Sequence, residues 1–264
     1  MRSCAMMAVC APHRICAVGP TFVCYEALFM KLTKVADLDV RLAGGDDGDG
    51  GGPGPAVILM HGFGASGDDL VPLWRVLRAP RGTRFLFPAA PIALGREYMG
   101  GRAWWWIDID DRIRRRASGE RNTAEVPDGL GAAREKADAV LTFVETSLSP
   151  RPPKVVLGGF SQGAMVALDV ALHSSLPLAG LLLMSGTHVA AHEWAPRLEA
   201  RRGLPVFMSH GREDPILPFD VSEKLRDTLV AAGLPVDWVE FAGGHGIPEP
   251  VIQGAAAFLG RVLA

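Results

Sequence analysis

The chain has 264 residues, 48% of them hydrophobic and 21% charged, a globular composition long enough to bury a full core without metals or disulfides. Its 27 Lys and Arg against 29 Asp and Glu leave a net charge of −2. That leaves no basic excess to hold a phosphate backbone, so no nucleic-acid partner is expected. No apolar run approaches the ~18 residues of a membrane span, so integral membrane association is not expected either.

The four cysteines, Cys4, Cys10, Cys16 and Cys24, all lie in the first 24 residues. Their spacing does not form a C-x₂-C metal knuckle, and the rest of the chain has no cysteine for them to staple. Residues 1–29 are broken by Pro12 and Pro20 and lack the pattern of an export signal. They are expected to be a poorly ordered or spurious extension, with Met30 as a natural start and 30–264 as a single domain.

From about Lys34 strand-like and helix-like segments alternate. Val35–Leu42 reads as a strand, and GGDDGDGGGPGP after it reads as a solvated hairpin turn, since it lacks the G-K-[ST] of a phosphate loop. Ala56–Met60 and Arg84–Phe87 are short apolar strands. Leu130, Ala133, Ala137, Val140, Leu141, Val144 and Leu148 recur at helical spacing and stop at SPRPP. Val155–Phe160 is a strand, Gln162–Ser175 a helix, and Leu178–Met184 and Val206–Ser209 are strands. Val221, Leu225, Leu229 and Ala232 mark a helix, Val236–Phe241 the last strand, and Val251, Ala255, Phe258 and Val262 a final helix opened by Pro248. Continuous apolar strands alternating with helices predict an α/β fold: a mainly parallel sheet with helices on both faces and its chemistry at the strand carboxyl ends.

Gly159-Phe160-Ser161-Gln162-Gly163 matches G-x-S-x-G between a strand and a helix, the setting of a nucleophile elbow. A serine needs a base held by a third group, and in this setting the order is Ser, acid, His. Asp214 follows the strand Val206–Ser209, and His245 follows the last strand in GGHG, so Ser161, Asp214 and His245 are the candidate catalytic residues. Glu213 is the alternative acid, but Pro215 fixes the turn after Asp214. His210 precedes the acid and reads as structural. His188 and His192 have helical i, i+4 spacing but VAA rather than E-x-x between them, so a zinc pair is not expected there; His173 reads as a surface residue at a helix end, and no metal site is expected. Asp220, Asp227 and Asp237 read as solvated.

Acyl transfer passes through an oxyanion that fixed N–H groups stabilise. The expected donors are the backbone N–H of Gln162 and, from the His61-Gly62-Phe63-Gly64 loop, that of Phe63. One of Trp104, Trp105 and Trp106 is expected to line an acyl or alcohol pocket, with the others in the core. Arg112, Arg114, Arg115, Arg116 and Arg121, balanced by Asp108, Asp110 and Asp111, read as a solvated loop.

LMHGFGASGDDL, FPAAPI, GGRAWWWIDI, GGFSQGAMVAL, SHGREDPILP and GGHGIP occur in this order. From about Ala56 to the C-terminus the chain resembles the phospholipase/carboxylesterase family of α/β-hydrolases, which includes acyl-protein thioesterases and small bacterial carboxylesterases. The resemblance implies the α/β-hydrolase fold, Ser161, Asp214 and His245 as the triad, and Phe63 and Gln162 as oxyanion donors. It also implies a cofactor-free cytoplasmic esterase, thioesterase or lysophospholipase-like enzyme acting on a small acyl ester or thioester, with many members homodimeric. The charged stretch Ile107–Val126 departs from the family where the acyl groove is covered, which argues against long lipid-like acyl chains. An acyltransferase with the same triad, or a binding protein on the hydrolase fold, would use the same residues.

Overall fold

The computed structural model describes residues 30–108, 114 and 126–264. The expectations for residues 1–29, and for Arg112, Arg115, Arg116, Arg121, Asp110 and Asp111, lie outside the described residues.

The chain opens with a hairpin, β1 (Leu32–Val35) and β2 (Leu38–Gly45), where the sequence predicts one strand over Val35–Leu42. The two turn residues, Ala36 and Asp37, have φ of 48° and 68°. A type I′ two-residue hairpin needs that doubly left-handed pair, and without a glycine the turn leaves no sign in the sequence. The Gly/Asp loop forms a tight structure and contains a short strand, β3 (Asp49–Gly51). Asp47 Oδ1 shapes it by accepting from the N–H groups of Asp49 and Gly51 at 2.8 and 2.9 Å.

Beyond the hairpin come elements of which all but the two four-residue helices, Leu73–Val76 and Ala191–Trp194, are expected from the sequence. They are β4 (Ala56–Met60), α1 (Leu73–Val76), β5 (Arg84–Pro88), α2 (Leu130–Thr146), β8 (Val155–Phe160) and α3 (Gln162–His173). After them come β9 (Gly180–Met184), α4 (Ala191–Trp194), β10 (Val206–Gly211), α5 (Phe219–Ala231), β11 (Val236–Phe241) and α6 (Glu249–Leu263). A two-stranded hairpin, β6 (Ile92–Ala93) with β7 (Arg102–Ala103), stands apart from the main sheet.

The main sheet runs β1-β2-β5-β4-β8-β9-β10-β11, with β3 beside β2. From β5 to β11 every neighbour is parallel, while β1–β2 and β2–β5 are antiparallel. Successive strand residues face opposite cores. Ile58 and Met60, Leu181 and Leu183, and Val206 and Met208 pack with α2, α3 and α5. Val57 and Leu59, Leu182 and Met184, and Phe207 pack with α1 and α6. Both faces are covered, which is why the strands read as unbroken apolar runs rather than alternating ones.

The strand order reverses at β4, whose successor β5 lies on one side and β8 on the other. At such a switch point the loops leaving the carboxyl ends diverge and open a crevice. The register Met60↔Gly159 makes the loops after β4 and β8 leave side by side. The register Gly211↔Phe241 does the same for the loops after β10 and β11. Among the described residues no helix is long and apolar enough to cross a membrane.

Candidate active site

Ser161 sits between β8 and α3 with φ 55° and ψ −118°, a left-handed conformation for a non-glycine residue that costs of order 1–3 kcal/mol. Its own N–H is committed to the Met184 carbonyl at 2.8 Å, which anchors the turn to β9. The flanking glycines are required by close approach. A Cβ on Gly159 or on Gly163 would overlap the Met60 carbonyl of the adjacent strand. Ser161 is 8% exposed.

Asp214 lies three residues past the end of β10 and His245 four past the end of β11. His245 Nδ1 donates to Asp214 Oδ2 at 2.6 Å. Asp214 Oδ1 accepts from the N–H groups of Ile216 and Leu217, each at 2.8 Å. Burial alone would raise the Asp214 carboxyl, but the His245 bond and charge and these two N–H groups outweigh it, and the pKa lies below its ordinary value. The His245 ring packs on Phe160, centroids 4.8 Å apart, beside the elbow. Its other nitrogen, Nε2, is buried and has no hydrogen-bond partner among the described residues. Glu213 is exposed, so the structure brings Asp214, not its neighbour, to the histidine.

The loop after β4 presses directly against the elbow. A Cβ on Gly62 would lie 3.3 Å from Ser161 Cβ. Phe63 N–H donates to no backbone carbonyl among the described residues, and Gln162, at the first position of α3, has no intrahelical acceptor for its N–H. Both amides predicted as oxyanion donors are therefore available, and the amino end of α3 adds a favourable dipole.

Sequence reasoning does not find what holds this loop. His61 is 1% exposed. Its Nδ1–H donates to the Gly62 carbonyl at 2.7 Å, and its Nε2 accepts from the Ala90 N–H at 2.9 Å. That pattern needs the neutral ring, and burial pushes its pKa down to about 4. The Gln162 side chain is a second clamp. Its Oε1 accepts from Trp104 N–H at 2.9 Å and its Nε2 donates to the Trp105 carbonyl at 2.8 Å. Trp104 Nε1 in turn donates to the His61 carbonyl at 3.1 Å. The only signal was position, since both residues sit inside the motifs that carry the backbone donors.

The three tryptophans divide. Trp104 and Trp105 are each 1% exposed and belong to the core, while Trp106 is 57% exposed. Trp106 meets Phe63 edge-on at 6.1 Å and Tyr98 at 6.3 Å, and Phe63 meets Tyr98 at 5.5 Å. These three rings form an aromatic wall beside the loop, and Tyr98 is the member the sequence does not indicate.

His188 and His173 have structural settings. His188 stacks on Trp194 at 5.6 Å. His173, read as a surface residue, is instead largely buried and its Nδ1 bonds the Asp169 carbonyl at 2.8 Å. Asp169, His173 and Glu193 gather oxygens and a nitrogen within 4.8 Å. A guanidinium already binds the two acids: Arg134 Nε donates to Asp169 at 2.6 Å and its Nη2 to Glu193 at 3.2 Å. Trp194 Nε1 takes the other Asp169 oxygen at 2.7 Å.

The Phospholipase/Carboxylesterase family profile matches residues 51–263. Acyl-protein thioesterase 1 of Gibberella zeae is 31% identical over 214 residues, covering 78% of this chain and 90% of that protein. Its counterpart in Neurospora crassa is 27% identical over 196 residues, with 72% and 79% covered. Among solved structures, esterase PE8 covers 86% of this chain and 99% of its own at 30% identity and a TM-score of 0.67. Acyl-protein thioesterase 2 of Zea mays, at 19% identity and a TM-score of 0.61, covers 85% of this chain and 99% of its own and shares the fold. Strand order, elbow and profile agree: the chain belongs to the phospholipase/carboxylesterase family, with the α/β-hydrolase fold.

Proposed function

We propose that the protein hydrolyses small carboxylic esters or thioesters through an acyl-enzyme on Ser161. The observation that carries this is the 2.6 Å His245–Asp214 bond, which leaves His245 Nε2 buried and unpaired among the described residues, on a ring packed against Phe160, the residue before Ser161. Nε2 takes the Ser161 Oγ proton as the oxygen attacks the acyl carbonyl. The N–H groups of Phe63 and Gln162 hold the oxyanion. The C–O or C–S bond then breaks as His245 returns the proton to the departing alcohol or thiol. Water, deprotonated by the same nitrogen, attacks the acyl-enzyme and frees the acid, with Asp214 orienting and stabilising the imidazolium in both halves.

The aromatic wall of Phe63, Tyr98 and Trp106 is the surface on which the apolar part of the substrate rests. This reading carries with it a cytoplasmic setting and the homodimer that the resemblance implies, which light scattering on the purified chain checks.

The test is hydrolysis of p-nitrophenyl esters from acetate to long-chain acyl, with the wild type and Ser161→Ala side by side. The variant should lose on the order of 10⁶-fold in kcat and should not be labelled by a fluorophosphonate probe. Equal rates in the two proteins would sink the proposal.

A further inference from the structure

A second histidine lies against Asp214. His210, in β10, is fully buried. Its Nε2–H donates to the Leu217 carbonyl at 3.0 Å and stands 3.3 Å from Asp214 Oδ2, the oxygen that holds His245. The N–H of Leu217 returns to Asp214 Oδ1 at 2.8 Å. His210, Leu217 and Asp214 thus close a ring of contacts around the carboxylate. His210 Nδ1 is buried without a partner among the described residues. The proton therefore sits on Nε2 and the ring is neutral, because a charged imidazolium would bury an unsatisfied N–H. The Phe219 ring covers its side at 6.1 Å.

We propose that His210 is a positioning residue for the hydrolysis: its Nε2–H fixes the Leu217 turn and draws charge from Asp214 Oδ2, and so sets how basic His245 is. This inference rests on the reading of Ser161, Asp214 and His245 given above. An N–H dipole beside a carboxylate oxygen shares the negative charge that would otherwise stabilise the His245 imidazolium. Without it, Asp214 stays in place through its two backbone N–H bonds and stabilises that imidazolium more strongly. The groups that bear on His245 are then Asp214 and His210 from the β10 side and Ser161 from the elbow. Arg212, two residues on, is exposed and pairs with Glu240.

The experiment compares the full-length wild type, His210→Gln and His210→Met on a p-nitrophenyl ester. The pH profile of kcat/KM is recorded, because its acid limb reports the free enzyme's base. Gln presents an amide N–H to the same oxygens, while Met has similar bulk and no donor. We expect the Gln variant to keep the wild-type midpoint and the Met variant to move it upward by about half a pH unit. The Met variant should also lose about tenfold in kcat/KM at the optimum, and its Ser161 should still be labelled by a fluorophosphonate. Should Met not fold, His210→Asn, too short to reach the Leu217 carbonyl, takes its place. An unmoved or lowered midpoint in the donor-less variant overturns the inference, since a merely structural role would cost stability alone. So does a Gln variant shifted as far as Met. A wild type that neither hydrolyses esters nor takes the probe removes the underlying reading, and this inference with it.

Discussion

Acid should weaken this fold through His61, by an amount the structure supplies. The ring is neutral in the native state because it both donates to Gly62 and accepts from Ala90 in a buried place, and its pKa falls from the ordinary 6.5 to about 4. The unfolded chain takes up the proton near pH 6.5, while the native protein refuses it until about pH 4. Between those values the unfolded state binds more protons, so stability rises with pH. The His61 contribution is therefore complete above about pH 6.5 and is lost progressively towards pH 4. At about 1.4 kcal/mol per pH unit, that window is worth about 3 kcal/mol. The assay is urea unfolding at 25 °C followed by tryptophan fluorescence, at pH 7 and at pH 4, for the wild type and His61→Gln. The variant lacks the titration, so any stability advantage of the wild type at pH 7 should shrink by about 3 kcal/mol at pH 4, and other titrating groups cancel in the difference. An advantage that stays constant across the window would refute the reasoning. It would mean that the ring is charged in the native state or that its site is wet.

Asp69, in the loop after β4, should act in the opposite sense. Burial, aided by the Asp68 charge, raises its carboxyl to about 7, and its Oδ1 has no partner among the described residues. The native state keeps the proton that the unfolded chain gives up from about pH 4, so stability falls as pH rises through that window. Asp69→Asn should therefore gain about 2 kcal/mol at pH 8, allowing for the residue's partial exposure; a lower urea midpoint than wild type at pH 8 contradicts this. Trp106→Ala should leave stability within about 0.5 kcal/mol but cut kcat/KM for p-nitrophenyl butyrate about tenfold, with acetate little affected. A butyrate-to-acetate ratio equal to that of the wild type would remove Trp106 from the substrate wall.

Much of this architecture is legible because local and global demands coincide. β4, β8 and β11 have the predicted bounds: the first two are short apolar runs, and β11, VDWVEF, is rich in β-branched and aromatic residues and stops before Gly243-Gly244. The elbow is readable because its glycines answer a steric demand that only the strand–serine–helix geometry creates. Two kinds of feature are hidden. Turns built from ordinary residues, such as Ala36-Asp37, adopt left-handed backbone without glycine. Side-chain clamps such as His61 and Gln162 join residues 29 and 58 positions apart in the chain, and no periodicity encodes such pairs. The aromatic wall was half visible: three adjacent tryptophans cannot share one face, but which of them turns outward depends on Gln162 holding the backbone of the other two.

That double grip of Gln162 also bears on how substrate preference can diverge. It fastens the segment ending in Trp106 to the residue beside the nucleophile, while Gly64 and Ala65 pair with Arg102 at 2.9 and 2.8 Å. Ser161, the Phe63 loop and the inner wall are thus tied into one frame. At the tip of the β6–β7 hairpin, Arg96, Glu97 and Met99 are exposed beyond this frame, Met99 at 64%, while Tyr98 turns back onto Phe63 and Trp106. Selectivity can be rewritten there, by length or by side chain, without retuning the reaction centre. A library aimed at new acyl or alcohol groups belongs at those three exposed positions, with Tyr98 kept.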